Sequence, residues 1–117
     1  MKTSRLATYG AGLAAGLLMM APLTIRAADV EENWTKNCVS CHGKDGKGET
    51  RAGKKAGVKD MTDADYQAKL TDEKAIATIK EGIKEEGEDT MKMKAFADKL
   101  TDDEIKALVA KVRTFKP

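Results

Sequence analysis

Both cysteines of this 117-residue chain and its one histidine fall within five consecutive positions, Cys38-Val39-Ser40-Cys41-His42. A bridge between two cysteines this close would shut only a short loop and remove little entropy from the unfolded chain. The pair therefore carries chemistry rather than framework. A zinc site on Cys38, Cys41 and His42 would lack a fourth Cys or His, and structural zinc sites are built almost wholly from those two residue types. A thioredoxin-like redox pair wants a βαβ context, which the sequence does not offer. What remains is C-x-x-C-H, the attachment signature of a c-type haem. Two intervening residues bring both thiols to one side of a helical turn, where each can form a thioether to a vinyl group. The adjacent imidazole then supplies the proximal iron nitrogen.

Composition fits a small domain that needs such a group. Beyond residue 27 the aromatic residues are Trp34, Tyr66, Phe96 and Phe115 alone. A domain of this size is marginal in the area it can bury, and a cofactor commonly makes up the difference. The formal charge is +2, but residues 1–27 hold Lys2, Arg5 and Arg26 with no acid, so the remainder is close to neutral. That balance lacks the sustained positive footprint of nucleic-acid binding.

Residues 1–27 read as a secretory signal peptide, leaving a single domain over 28–117. Lys2 and Arg5 form a positive start, an apolar stretch follows to Leu23, and a small-residue site lies at Ala27-Ala28. Against this stands an uncleaved anchor, because Leu6 to Ile25 is an uncharged run of 20 residues. Gly10, Gly12, Gly16, Thr8 and Pro22 lower its hydrophobicity and favour the signal peptide. The expected location is the periplasm, with no membrane span in the mature form.

The mature chain predicts three to four short helices separated by glycine-rich loops, an all-α arrangement. The last helix is the plainest: Thr101 and Glu104 form a capping box, with Leu100 and Ile105 as its hydrophobic staple. Ile105, Leu108, Val109 and Val112 mark one face. A second helix is expected to start at Thr62, with Met61 and Tyr66 as staple. A third follows Thr71 with Ala75, Ile76, Ile79 and Ile83 on one face and ends near Gly82. The first runs from Val30 to about Cys38. Residues 43–60 and the stretch from Gly87 to about Lys99 read as loops, with no convincing strand. Candidate packing or haem-contacting residues are Val30, Trp34, Ile76, Ile79, Phe96, Ile105, Leu108 and Val109.

A second axial ligand would come from Met61, Met91 or Met93, since a thioether favours ferrous iron. Met61 reads as a packing residue. Met91 and Met93 stand two apart in an extended segment and would point the same way, so spacing does not separate them. The mature chain resembles the small mono-haem class I c-type cytochromes over about residues 29–117. The resemblance rests on Cys38-Val39-Ser40-Cys41-His42-Gly43, on Asp45-Gly46-Lys47-Gly48, and on Met93-Lys94-Ala95-Phe96 before Lys99-Leu100-Thr101-Asp102-Asp103-Glu104-Ile105. It implies a cytochrome c fold around one covalently attached haem c, thioethers at Cys38 and Cys41, and His42 as proximal ligand. Matching Phe96 to the family's Met-Pro-x-Phe/Tyr stretch makes Met93 the distal ligand, with Met91 the alternative because Lys94 replaces the stiffening proline. The chain also lacks the proline whose carbonyl often accepts the proximal imidazole's Nδ1–H.

The function that follows is single-electron transfer by a His/Met-ligated haem in a non-enzymatic, monomeric carrier between a reductase and an oxidase. Its rivals are a sensor or peroxidase-like protein with an open sixth position, and a membrane-tethered cytochrome subunit of a respiratory complex. A local excess of four positive charges over residues 44–59 and of four negative charges over 81–89 gives the chain a polar distribution. The basic side would steer an acidic redox partner, or both runs simply keep loops solvated.

Overall fold

The computed structural model describes residues 10–19 and 26–116. The expected signal peptide lies largely outside the described residues, among which no helix is long and apolar enough to cross a membrane. Six helical segments follow in chain order: α1 (Ala27–Asn37), α2 (Val39–His42), α3 (Arg51–Ala56), α4 (Ala64–Lys69), α5 (Asp72–Glu81) and α6 (Asp102–Thr114). A short antiparallel pair, β1 (Ile83–Lys84) and β2 (Met91–Met93), stands between α5 and α6.

The helix ends follow side-chain chemistry. Thr101 Oγ1 accepts from the Glu104 amide and Thr71 Oγ1 from the Lys74 amide, each satisfying one of the free donors of a first turn. Gly82 closes α5 at φ +73°. Here glycine is required: a Cβ at position 82 would stand 2.3 Å from the Met93 carbonyl oxygen, so its absence lets β2 lie against the end of α5. The second expected start is corrected by one residue. Asp63, not Thr62, caps α4 through the Tyr66 amide, while Thr62 spends its hydroxyl on Asp60. The Met61–Tyr66 staple lapses with that shift, although Met61 sits in the core and Tyr66 packs against it.

Two further corrections concern regions read as loop. Thr50 caps α3 by accepting from the Gly53 amide, and Met91–Met93 forms β2 of a small hairpin, with a register irregularity between Ile83 and Lys84 on its partner strand. Ile83, read with the face of the third helix, instead stands in β1, where it pairs with Met93 and is exposed. The first helix also begins earlier than Val30, at Ala27.

The core lies where α1 and α5 pack on α6. Ile105 and Leu108 are fully enclosed, and Trp34, Met61, Phe96, Leu100 and Val112 complete the cluster. Val30, Ile76 and Ile79 line it from α1 and α5. Arg113 locks α4 onto α6, donating to the Gln67 carbonyl at 2.8 Å, to the Leu70 carbonyl and to Asp72. A guanidinium there neutralises the partial negative charge of a helix C-terminus.

Candidate functional site

The C-x-x-C-H motif occupies the junction of α1 and α2. Cys38 ends α1 and its carbonyl accepts from the Cys41 and His42 amides, which makes the single turn of α2. The turn puts both thiols and the imidazole on one short, rigid segment. Cys38 and Cys41 are free thiols, each partly buried. Burial, with the neighbouring Cys41, pushes the Cys38 thiol up to about 11, so it stays protonated. Burial also lowers the His42 pKa, which keeps the imidazole neutral, the form that can bind a metal.

The backbone of the motif is tied down from three directions. Thr50 Oγ1 donates to the Cys41 carbonyl at 2.9 Å. The Gly48 amide donates to the His42 carbonyl at 2.9 Å, and Trp34 Nε1 donates to the Gly43 carbonyl at 3.2 Å. Neither Thr50 nor the indole bond was legible as part of the site. Thr50 did carry a signal, a hydroxyl residue three positions before Gly53, but the glycines around it mask a helix start.

The methionines separate by burial. Met93, on β2, is partly buried and packs against the same core as Cys38 and Val39, whereas Met91 is 41% exposed. Phe96 holds this strand in place: its amide donates to the Ile79 carbonyl at 2.9 Å and its ring is buried. Met61 is buried in the core.

These residues fit a c-type haem. Two free thiols share one turn with a neutral imidazole, and a thioether approaches the same core from another element. Among the described residues, His42 Nδ1 is the one buried side-chain nitrogen or oxygen without a hydrogen-bond partner. Nor do any three His, Cys, Asp or Glu side chains among those residues cluster as a caged metal ion would require.

Residues 26–110 match the family model described as cytochrome C oxidase, cbb3-type, subunit III. Among solved structures, the chain is similar to the KustC0563 c-type cytochrome, with a TM-score of 0.63 and 40% sequence identity over 74% of this chain and 96% of that one. A tyrosine-to-phenylalanine mutant of KustC0563 gives a TM-score of 0.62 and 41% identity over 75% of this chain and 99% of the other. No curated protein matches the sequence significantly.

Proposed function

We propose a function from one premise, that the chain belongs to the c-type cytochromes, within the family described as cytochrome C oxidase, cbb3-type, subunit III. Haem-based electron transfer comes with that family. The chain is a single-electron carrier working in the periplasm, with one haem joined through Cys38 and Cys41 and ligated by His42 and Met93. When bound, the haem supplies the one-electron couple. The chain's own residues do the rest. Cys38 and Cys41 fix the group to the α1–α2 turn, and His42 presents a neutral nitrogen. Met93 brings a soft thioether from β2, a donor that favours the reduced state. The core residues of α5 and α6 exclude water around it.

The observation that carries this reading is the packing of Cys38 and Met93, 55 positions apart in the sequence, against one apolar core. The test is the optical spectrum of the purified protein, oxidised and reduced. A low-spin spectrum with the weak long-wavelength band of sulfur on ferric iron supports the carrier, and its loss in Met93→Ala but not in Met91→Ala supports Met93. A high-spin spectrum that shifts with carbon monoxide or cyanide would instead mean an open sixth position and a sensor or peroxidase-like protein.

A second reading is a membrane-tethered subunit of a respiratory complex, favoured by the description of the matching family as an oxidase subunit. It requires the run from Leu6 to Ile25 to be retained. The intact mass of the mature protein decides it, since cleavage after Ala27 gives a shorter chain in the periplasmic fraction. The exposed basic residues of 44–59, among them Lys44, Lys47, Lys54 and Lys55, suit an acidic redox partner. Electron-transfer rates with such a partner should fall as salt rises.

A further inference from the structure

We infer that Trp34 is the positioning residue of the proximal imidazole. Its indole, anchored to the motif through the Gly43 carbonyl, sets the plane in which His42 presents its ligating nitrogen. The inference rests on reading His42 as the iron ligand.

Three hydrogen bonds hold the backbone of 41–43, from Thr50, Gly48 and Trp34. They fix where the histidine Cα stands and leave its two side-chain torsions free. An iron-ligating imidazole is usually oriented by a bond from its other nitrogen to a carbonyl or carboxylate. His42 Nδ1 is buried and finds no such acceptor among the described residues. Orientation must then come from what the ring touches. The indole of Trp34 lies with its ring centroid 6.0 Å from that of His42, inclined by 36°, within the range of interacting aromatic pairs.

Trp34 is itself enclosed. It is 3% exposed, and Phe115 packs on it at 5.1 Å between centroids. The Lys111 ammonium stands 5.7 Å from the Trp34 ring centroid and is paired with Glu31. Phe115 reaches this place because position 46 is glycine: a Cβ there would lie 2.7 Å from the Phe115 ring. One side chain thus links α6, the end of α2 and the imidazole. Its N–H bond holds the backbone at Gly43, the residue after the histidine, while its ring lies beside the imidazole.

The imidazole plane has a readout that stability does not move, the order of the hyperfine-shifted haem methyl resonances in the ferric protein. The experiment compares wild-type holoprotein with Trp34→Phe and Trp34→Leu, using Arg113→Ala, which breaks the tie between α4 and α6, as a control for lost stability. The tryptophan variants should keep a low-spin spectrum while the methyl order changes and the reduction potential shifts, the leucine variant more than the phenylalanine one. Arg113→Ala should lower the melting temperature and leave the methyl order and potential at the wild-type values. A Trp34→Phe protein with wild-type methyl order and potential overturns the inference, whatever its melting temperature.

Should neither variant fold, the wild-type ferrous protein labelled with nitrogen-15 tryptophan decides between the outcomes. Slow exchange of the indole N–H and a cross-relaxation signal to the His42 ring support the inference; free exchange or no signal overturns it. Wild-type protein lacking axial histidine resonances would sink the ligand reading itself, a result distinct from either.

Discussion

Gly53 in α3 lies against Cys41 so closely that a Cβ at position 53 would stand 2.2 Å from the Cys41 carbonyl oxygen. It would also stand 2.6 Å from the carbonyl oxygen of Gly48. Both obstacles are backbone, and the Cys41 carbonyl is already held by Thr50, so the motif cannot move aside without breaking that bond. Gly53→Ala gains up to about 1 kcal/mol of helix propensity and loses more to overpacking, a net destabilisation of roughly 1–3 kcal/mol. The expected outcome is a lower denaturant midpoint and a smaller fraction of chains carrying haem. A variant with wild-type midpoint and loading would show that α3 is free to shift.

Thr50 serves two helices with one hydroxyl. Its oxygen accepts from the Gly53 amide at 2.8 Å and its proton goes to the Cys41 carbonyl, tying the start of α3 to the end of the C-x-x-C-H motif. Thr50→Val keeps the shape and removes both bonds, leaving a half-buried carbonyl unpaired. The cost is roughly 1–3 kcal/mol. Thr50→Ser should recover most of it. Thermal unfolding of the three ferric holoproteins checks the order, and equal stabilities for valine and serine would refute it.

Tyr66 gives the fold an alkaline limit. Burial against the core raises its pKa above the usual value, with Arg113 opposing in part. The raised folded value means that the stabilisation is fully present below the unfolded tyrosine pKa of about 10. It is lost as pH rises through the folded value, because the unfolded chain gives up the proton first. Tyr66→Phe removes this titration. Urea midpoints measured upward from about pH 9 should fall less steeply in the variant than in the wild type. Parallel curves would mean that another group sets the alkaline limb.

How much of this was legible depends on whether a feature is local. The α6 stripe of Ile105, Leu108, Val109 and Val112 and its Thr101 cap need only 12 consecutive residues to be seen, and all four are buried as read. The Thr71 start and the Gly82 end of α5 are equally local. Helix α3 escaped because Gly53 and Gly57 break its pattern and it has no apolar stripe. Its glycine answers to Cys41, a tertiary neighbour that no window reveals. The hairpin escaped because strands of two and three residues are too short to display alternation. At Asp63, two adjacent residues can both cap, and Asp60 decided the matter by engaging Thr62. The motif residues were plain from spacing alone, but the indole bond that ties Trp34 to Gly43 depends on how α1 meets α2.

The proposed haem should be part of the core as well as its cargo. Among the described residues the buried apolar side chains are few, Ile105 and Leu108 being the only large ones fully enclosed, and no buried polar or charged residue joins them. A core of this size in a domain of under a hundred residues offers only a few kcal/mol against the entropy of ordering the chain. The three longest helices, α1, α5 and α6, have 11, 10 and 13 residues, lengths at which isolated helices are marginal in water. Cys38→Ala/Cys41→Ala, which would remove the proposed covalent link, should therefore leave a chain with weak far-ultraviolet helicity and no cooperative thermal transition when purified without haem. Restoring the cysteines in a strain that matures c-type cytochromes should restore both. A double variant that melts cooperatively with native-like helicity would show instead that packing of α1, α5 and α6 suffices, and that the haem is held by a domain already folded.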